Sequence, residues 1–377
     1  MNVIAFYLPQ FHAIPENDEW WGKGFTEWVN VKKGSSLFEG HYQPRVPLNN
    51  NYYCLLDKEK LAWQAELAKE YGIYGFCIYH YWFGGHKLLE KPLELLLQSK
   101  DINTHYCICW ANEDWTTQWV SGKPKTLIAQ NYGQKTEWEE HYRYLSQFFH
   151  DERYIKTEGK PVVVIYRPEL IPCLNEMLDF WQELAKKDGF TEGLSVGYQH
   201  VYFALDKDKD DSRLDFQIDY QPWMALSQKH QGIELLIRTI KRKVFLWIEK
   251  IFHKSLDLTW RNHFTGVMKF DYEETWKRIV SAPPLSNKSI PGAFVDWDNT
   301  CRKGVRGSVA VGASPTIFKK YFKKLLEHAR QDYKKDTIFI FAWNEWGEAG
   351  YLEPDEKFKY SYLQAIKESL KEDQENS

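Results

Sequence analysis

The chain has 377 residues, with 52 acidic and 49 basic side chains and a formal net charge of -3. A balance this close to neutral gives no overall electrostatic footprint for nucleic acid, so no nucleic-acid partner is expected. The length suits one elaborated α/β barrel, a fold that passes 200 residues as a single domain and grows by loop insertion, and residues 1–377 read as one catalytic domain of that kind.

The first apolar run, Val3 to Leu8, has strand length and is not preceded by the basic segment and apolar stretch of a secretory leader. No run reaches the roughly 18 residues of a spanning helix. A cytoplasmic location is therefore expected, either free or peripheral at the inner membrane. After this strand comes a long insertion, Asn17 to Asn51, that carries Trp20, Trp21, Trp28 and the run Gly40-His41-Tyr42-Gln43-Pro44-Arg45. Its aromatic content argues against disorder and for a functional loop.

Helical and strand-like stretches then alternate. Glu59 to Tyr71 has apolar residues at helical spacing and stops at Gly72, before the strand Tyr74 to Tyr79. The helix Leu89 to Leu97 precedes the strand Tyr106 to Trp110, and the helix Glu137 to Phe149 precedes the strand Pro161 to Tyr166. The helix Leu174 to Lys187 leads to two short strands, Leu194 to Tyr198 and Phe216 to Tyr220. A second insertion, Ala225 to Phe270, places Arg238, Lys241, Arg242, Lys243, Lys250 and Lys254 beside Ile233, Ile240, Val244, Trp247, Ile248 and Ile251 at helical spacing. Such a basic amphipathic helix suits either an anionic membrane surface or the outside of the barrel with its lysines in water. The helix Tyr272 to Ile279, the strand Gly292 to Val295, the helix Thr316 to Arg330 behind the cap Ser314-Pro315, and the strand Thr337 to Ala342 complete the pattern.

Eight buried strands alternating with helices predict a (β/α)8 barrel with long βα-loop insertions, since parallel strands need crossover helices that also cover the sheet. Polar and aromatic residues gather just past the strand ends, where the active sites of this fold sit. Tyr7, Gln10 and His12 belong to the first end, His80 and Tyr81 to the second, Trp110, Asn112 and Glu113 to the third, and Tyr166 and Arg167 to the fourth. Asp296, Trp297 and Asp298 follow the seventh strand, and Trp343-Asn344-Glu345-Trp346-Gly347-Glu348 follows the eighth. The six cysteines contain no C-x-x-C pair and read as reduced core thiols.

Glu345 and Glu348, three residues apart among indoles, are the candidate catalytic pair. Glycosidic bond cleavage needs one group to protonate the leaving oxygen and a second to act at the sugar ring, and paired carboxylates supply both. Glu113 with Asp114, and Asp296 with Asp298, suit a grip on sugar hydroxyls. Trp20, Trp110, Trp297 and Trp346 are candidate stacking walls, with Trp28, Tyr42, Trp343 and Asn344 as further substrate-binding candidates. No H-E-x-x-H spacing suggests zinc, no G-x-x-x-x-G-K-[ST] or G-x-G-x-x-G loop suggests phosphate cradling, and no cofactor is called for.

These residues resemble the WbsX-type proteins of bacterial surface-polysaccharide loci, a family related to glycoside hydrolase family 99. The resemblance rests on Ala5-Phe6-Tyr7-Leu8-Pro9-Gln10-Phe11-His12, on Trp20 to Trp28, on Gly40-His41-Tyr42-Gln43-Pro44 and on Tyr71 to Phe76. It also rests on Trp110-Ala111-Asn112-Glu113, Asp296-Trp297-Asp298-Asn299-Thr300 and Trp343-Asn344-Glu345-Trp346. It implies a (β/α)8 barrel and a metal-independent enzyme acting on glycans, the related hydrolases being retaining endo-α-mannosidases. By motif, Glu345 would deprotonate the sugar 2-hydroxyl to give a 1,2-anhydro intermediate and Glu348 would be general acid, then base. Those hydrolases carry His before the second Glu, where this chain carries Gly347.

The expected function is that of a retaining glycosidase or transglycosidase acting on a bacterial surface-polysaccharide glycan, an oligosaccharide or lipid-linked glycan being the partner. Family usage also implies an alternative, a glycosyltransferase of O-antigen or capsule biosynthesis with an activated donor. A non-catalytic glycan-binding barrel is the third reading.

Overall fold

The computed structural model describes residues 1–117, 125–200, 210–227 and 266–375. Strands β1 (Asn2–Tyr7), β2 (Gly75–Phe83), β3 (His105–Trp110), β4 (Lys160–Ile165), β5 (Ser195–His200) and β6 (Phe216–Asp219) follow one another around a cylinder. β7 comes in two pieces, Ser289–Ile290 and Gly292–Phe294, and β8 is Thr337–Phe341. The cylinder closes because β1 pairs in parallel with both β2 and β8, Ala5 lying opposite Phe76 on one side and Ile340 on the other. The first piece of β7 pairs with β6 and the second with β8. Pro291 separates them; it has no N–H to donate, and its carbonyl accepts from Phe339 at 3.1 Å. Nine parallel segments thus make the eight strands of a (β/α)8 barrel. At Gly292 a Cβ would stand 1.8 Å from the Asp219 carbonyl oxygen, so a residue without a side chain is what lets β6 and β7 meet.

Helices α1 (Lys58–Glu70), α2 (Lys91–Gln98), α3 (Lys135–Phe149) and α4 (Leu174–Lys187) cover the first half of the barrel, with α5 (Tyr272–Ser281), α6 (Pro315–His328) and α7 (Ser361–Glu375) on the second. Their starts follow capping chemistry. The Asp57, Asp271 and Ser314 side chains accept from the backbone N–H of Glu59, Glu274 and Ile317, and Pro315 occupies the first helical position of α6.

Both faces of each barrel strand are buried, one against the barrel interior and one against helices. Inside, the Phe6 ring meets Tyr79, Tyr220 and Phe339 with centroids 5.7, 5.9 and 5.6 Å away. Outside, Trp82 lies flat on His141 of α3 at 4.5 Å, and Trp276 is fully buried between Phe294 and Phe318. Burying an aromatic ring removes about 150–250 Å² from water, and apolar burial contributes roughly 25 cal/mol per Å² before entropy is counted.

The insertion Asn17 to Asn51 forms two short helices, Pro15–Trp21 and Glu27–Lys33, folded over the end of β1. Most of the basic insertion, including every lysine and arginine named for it, lies outside the described residues. All six cysteines are free thiols, with Cys77, Cys107 and Cys109 buried. Among the described residues no helix is long and apolar enough to cross a membrane.

Candidate active site

The turn after β8 is built to present two carboxylates together. Asn344–Glu345 pairs antiparallel with Gly350–Tyr351, and Trp346–Glu348 between them is a single 3₁₀ turn. Glu345 stands just before that turn and Glu348 closes it, and the chain reversal brings both carboxylates to one side, facing the same cavity. Trp346 is fixed behind them: its ring stacks on Tyr351 at 3.7 Å and its indole N–H donates to Glu353 at 2.6 Å. Glu353 also accepts from Tyr53 and Gln64, and burial, opposed by these bonds, pushes its carboxyl up to about 7.

One guanidinium joins the pair. Arg302, from the short helix Thr300–Lys303, reaches Glu345 at 3.3 Å and Glu348 at 3.1 Å through separate terminal nitrogens, while its Nε donates to Glu27 at 2.7 Å. Asp298 anchors that helix by accepting from the Thr300 N–H and hydroxyl. Its other oxygen meets His41 at 2.9 Å and Gln43 at 2.7 Å, and neighbouring Asp296 pairs with Arg45 at 2.9 Å. The acidic residues after β7 therefore bind the Gly40 to Arg45 run to the barrel rim. Three carboxylates around one cation leave surplus negative charge in a buried place. Burial pushes Glu345 up to about 8, with Glu348 and Glu27 adding to the rise and Arg302 opposing it. Glu348 is raised by the same desolvation, against Arg302 and Lys303.

A cavity of about 1020 Å³, open mouth included, lies over the pair. Gln10, Tyr81, Glu113, Tyr166, Glu345 and Glu348, all named from the sequence, line it together. Trp21, Phe25, Phe83, Trp115, Tyr79, Tyr220 and Phe341 supply the aromatic surface, and Glu27, Asn30, Asp114 and Arg302 further polar groups. Glu113 is engaged by Arg167, whose guanidinium also binds Glu169. Burial raises the Tyr81 phenol, and the nearby Glu345 charge raises it further.

Other residues named from the sequence stand behind the wall. On β2, Tyr79, Tyr81 and Phe83 face the cavity, while His80 turns outward and meets His141 at 3.1 Å between ring nitrogens. Trp110 packs against His141 and Trp181, Tyr7 donates to Gln64, and Trp343 packs on Phe76. Trp28 is wedged among Phe11, Tyr53 and Trp346 with its N–H on the Tyr53 carbonyl. Trp297 donates to Ser308 and packs on Phe341; Tyr42 donates to Asp355 beneath Arg45. Asn112 exchanges two hydrogen bonds with the Arg167 backbone, Asn344 does the same with Leu8, and His12, pushed down to about 4 by burial, holds the Pro9 carbonyl. Trp20 lies against Trp115 at 5.9 Å and backs the cavity's aromatic side.

Arg302, Glu27, Trp21 and Trp115 line the cavity without having been singled out for it. Trp21 and Glu27 sit inside a motif noted from the sequence and Trp115 directly follows the Glu113-Asp114 pair, but Glu27 and Arg302 are 275 positions apart and only the fold joins them.

The family model described as glycosyltransferase WbsX matches residues 3–366. The uncharacterized protein WxcX of Xanthomonas campestris pv. campestris (strain B100) is 31% identical over 374 residues, covering 98% of this chain and 49% of that protein. The same values hold for WxcX of a second strain, so this chain spans about half the length of the curated relatives it matches. Among solved structures, the family 99 endo-alpha-mannosidase of Bacteroides thetaiotaomicron in complex with bis-tris-propane superposes with a TM-score of 0.56 at 14% identity, covering 100% of this chain and 98% of that one. A glycoside hydrolase-like protein gives 0.54 at 12% identity, with 98% and 93% covered. At these identities the likeness establishes the barrel fold.

Proposed function

This chain belongs to the glycosyltransferase WbsX family, and from that premise we propose that it is a carbohydrate-active enzyme that cleaves or transfers glycosidic bonds in a glycan, with Glu345 and Glu348 as the reacting carboxylates. One observation carries the reading: both are buried on a single turn, share the Arg302 guanidinium, and border an aromatic cavity. Coupled carboxyls of this kind titrate as a unit, and their raised affinity keeps a proton on the pair near neutrality, as acid–base cleavage requires.

In the retaining route, Glu345 takes the sugar 2-hydroxyl proton as that oxygen attacks the anomeric carbon, and Glu348 protonates the departing glycosidic oxygen. The resulting 1,2-anhydro sugar is opened at the anomeric carbon by water or an acceptor hydroxyl that Glu348 deprotonates, and Glu345 returns its proton to the 2-oxygen. Two inversions give net retention. This follows the chemistry that the resemblance to the family 99 hydrolases implies, and the printed activity of the Bacteroides relative, endo-alpha-mannosidase, supports it.

The charge of the cavity favours this over an activated nucleotide donor. Glu27, Glu113, Asp114, Glu345 and Glu348 line it, and Arg302, already shared by three of them, is the basic side chain that joins them there. A pyrophosphate would meet net repulsion, whereas sugar hydroxyls find acceptors. The substrate class proposed is therefore an uncharged glycan of a bacterial surface polysaccharide, free or lipid-linked, handled in the cytoplasm or at its membrane.

A product screen on mannose- and rhamnose-type oligosaccharides, with the first-formed anomer observed by NMR, tests the reading. Glu345→Gln and Glu348→Gln each abolish turnover and spare glycan binding; full turnover in either would overturn the pair. The family's description favours the transferase reading, for which calorimetry with nucleotide sugars should then show binding.

A further inference from the structure

We propose that Arg302 is a positioning residue for the reaction: its guanidinium, held from behind by Glu27 in a slot that Gly347 leaves open, sets the spacing and the shared charge of Glu345 and Glu348. The inference rests on the carboxylate pair proposed above and extends it to three residues, Arg302, Glu27 and Gly347, that have no part in the bond-breaking steps.

The geometry is specific. Arg302 uses its Nε for Glu27 and one terminal nitrogen for each of the other two glutamates, so no carboxylate can shift without loosening the others. The Glu27 side chain is buried, at 3% exposure, and that of Arg302 keeps only 11%, so water screens the cluster little. Gly347 supplies the clearance, since a Cβ there would stand 2.1 Å from Glu27 Oε1 and 2.4 Å from Arg302 Nε. Three acids facing one guanidinium leave an excess that a proton on the pair relieves. Arg302 limits how firmly that proton is held, and Glu27 reinforces it. Among the described residues, the other titratable groups that act on the pair are Lys303 and Cys301 from the Arg302 helix, Tyr81 from β2, Tyr166 after β4 and Tyr220 after β6.

The test needs no substrate. Infrared pH titration isolates the protonated-carboxyl stretch that vanishes in the Glu345→Gln, Glu348→Gln double variant. Arg302→Gln should raise the midpoint of that band by about one pH unit, roughly tenfold in proton affinity, and Glu27→Gln should lower it. Opposite shifts are the signature, because mere loosening of the fold would not move the two variants apart. Arg302→Lys keeps the charge but not the fork, so its midpoint should stay near that of the wild type while turnover falls, and it carries the test should Arg302→Gln not fold. Unchanged midpoints in Arg302→Gln and Glu27→Gln, shifts of the same sign in the two, or full turnover in Arg302→Lys would overturn the inference. Full turnover in either Glu345→Gln or Glu348→Gln would instead sink the catalytic reading, and the titration would still decide whether Arg302 sets the charge of the pair.

Discussion

Asn344 and Leu8 exchange two hydrogen bonds across the seam of the barrel: the Leu8 N–H donates to Asn344 Oδ1 at 2.8 Å, and Asn344 Nδ2 donates to the Leu8 carbonyl at 3.0 Å. A side-chain amide thus continues the pairing of β1 with β8 past the last strand residue and sets the starting angle of the turn that carries Glu345. Both residues are buried. Asn344→Ala should leave two buried backbone groups unpaired, at about 1–3 kcal/mol each. Urea unfolding is expected to show that loss, and Asn344→Asp, which keeps the acceptor but not the donor, should fall between.

The proton held by the glutamate pair predicts an alkaline limit to activity. Burial pushes Glu345 up to about 8. The two carboxyls titrate as a unit, so as the pH rises through that value the pair loses its last proton, whichever of them holds it, and Glu348 has none to give the leaving oxygen. The profile of kcat/KM on a responsive glycan should descend on that side. A flat profile to about pH 10, where an ordinary phenol rather than a carboxyl would titrate, would remove the pair from the acid role.

The barrel was legible because parallel strands covered on both faces appear as short continuous apolar runs, and Val3 to Leu8 and Thr337 to Ala342 are of that type. The Glu345–Glu348 turn was legible because it follows such a run directly. What local sequence does not encode is which face of a strand looks into the barrel. Tyr81 and His80 are adjacent, equally suited to a sugar, and point opposite ways. Trp110 and Trp115 differ in the same manner, the first packed on Trp181 and the second on the cavity. Arg302 and Glu27 carry no local signal for each other, since they meet only once the first insertion folds over the loop after β7.

Trp115 offers a test of the cavity wall. Its ring sits among Trp20, Tyr81 and Phe83, at 5.9, 5.2 and 6.2 Å. Aromatic contacts are worth about 0.5–1.5 kcal/mol beyond burial, so Trp115→Ala should weaken glycan binding by roughly 2–10-fold. Trp110→Phe, behind the wall, should lower stability with KM unchanged. Equal effects of the two on KM would place the binding surface elsewhere.

The neutral imidazole pair predicts acid sensitivity. Burial pushes His80 down to about 3 and His141 also downward, whereas unfolded histidines titrate near 6.5. With folded values depressed, the stability they allow is complete above about 6.5. Below it the unfolded chain takes up protons that the native state refuses, and stability falls by up to about 1.4 kcal/mol per pH unit per histidine until the folded values are reached. Denaturant titrations between about pH 7 and 5 should show this slope, and His80→Gln should reduce it by one proton. An unaltered slope in that variant would mean that His80 already takes up its proton in the folded state.

Gly347 gives the last prediction, because the contact it avoids has named partners. Gly347→Ala should drive a methyl into Glu27 Oε1 and Arg302 Nε, 2.1 and 2.4 Å from the ideal Cβ position. Overpacking of this kind costs about 1–3 kcal/mol. Glu27→Ala removes the nearer obstacle, so the double variant should be less destabilised than the sum of the singles, with a coupling of about 0.5–3 kcal/mol. Turnover should not return with that stability, since Arg302 would have lost its hold from behind. Strict additivity would mean that the glycine serves the turn and not the clamp, whereas coupled stability with no recovery of turnover would separate the room Gly347 provides from the work Arg302 does with it.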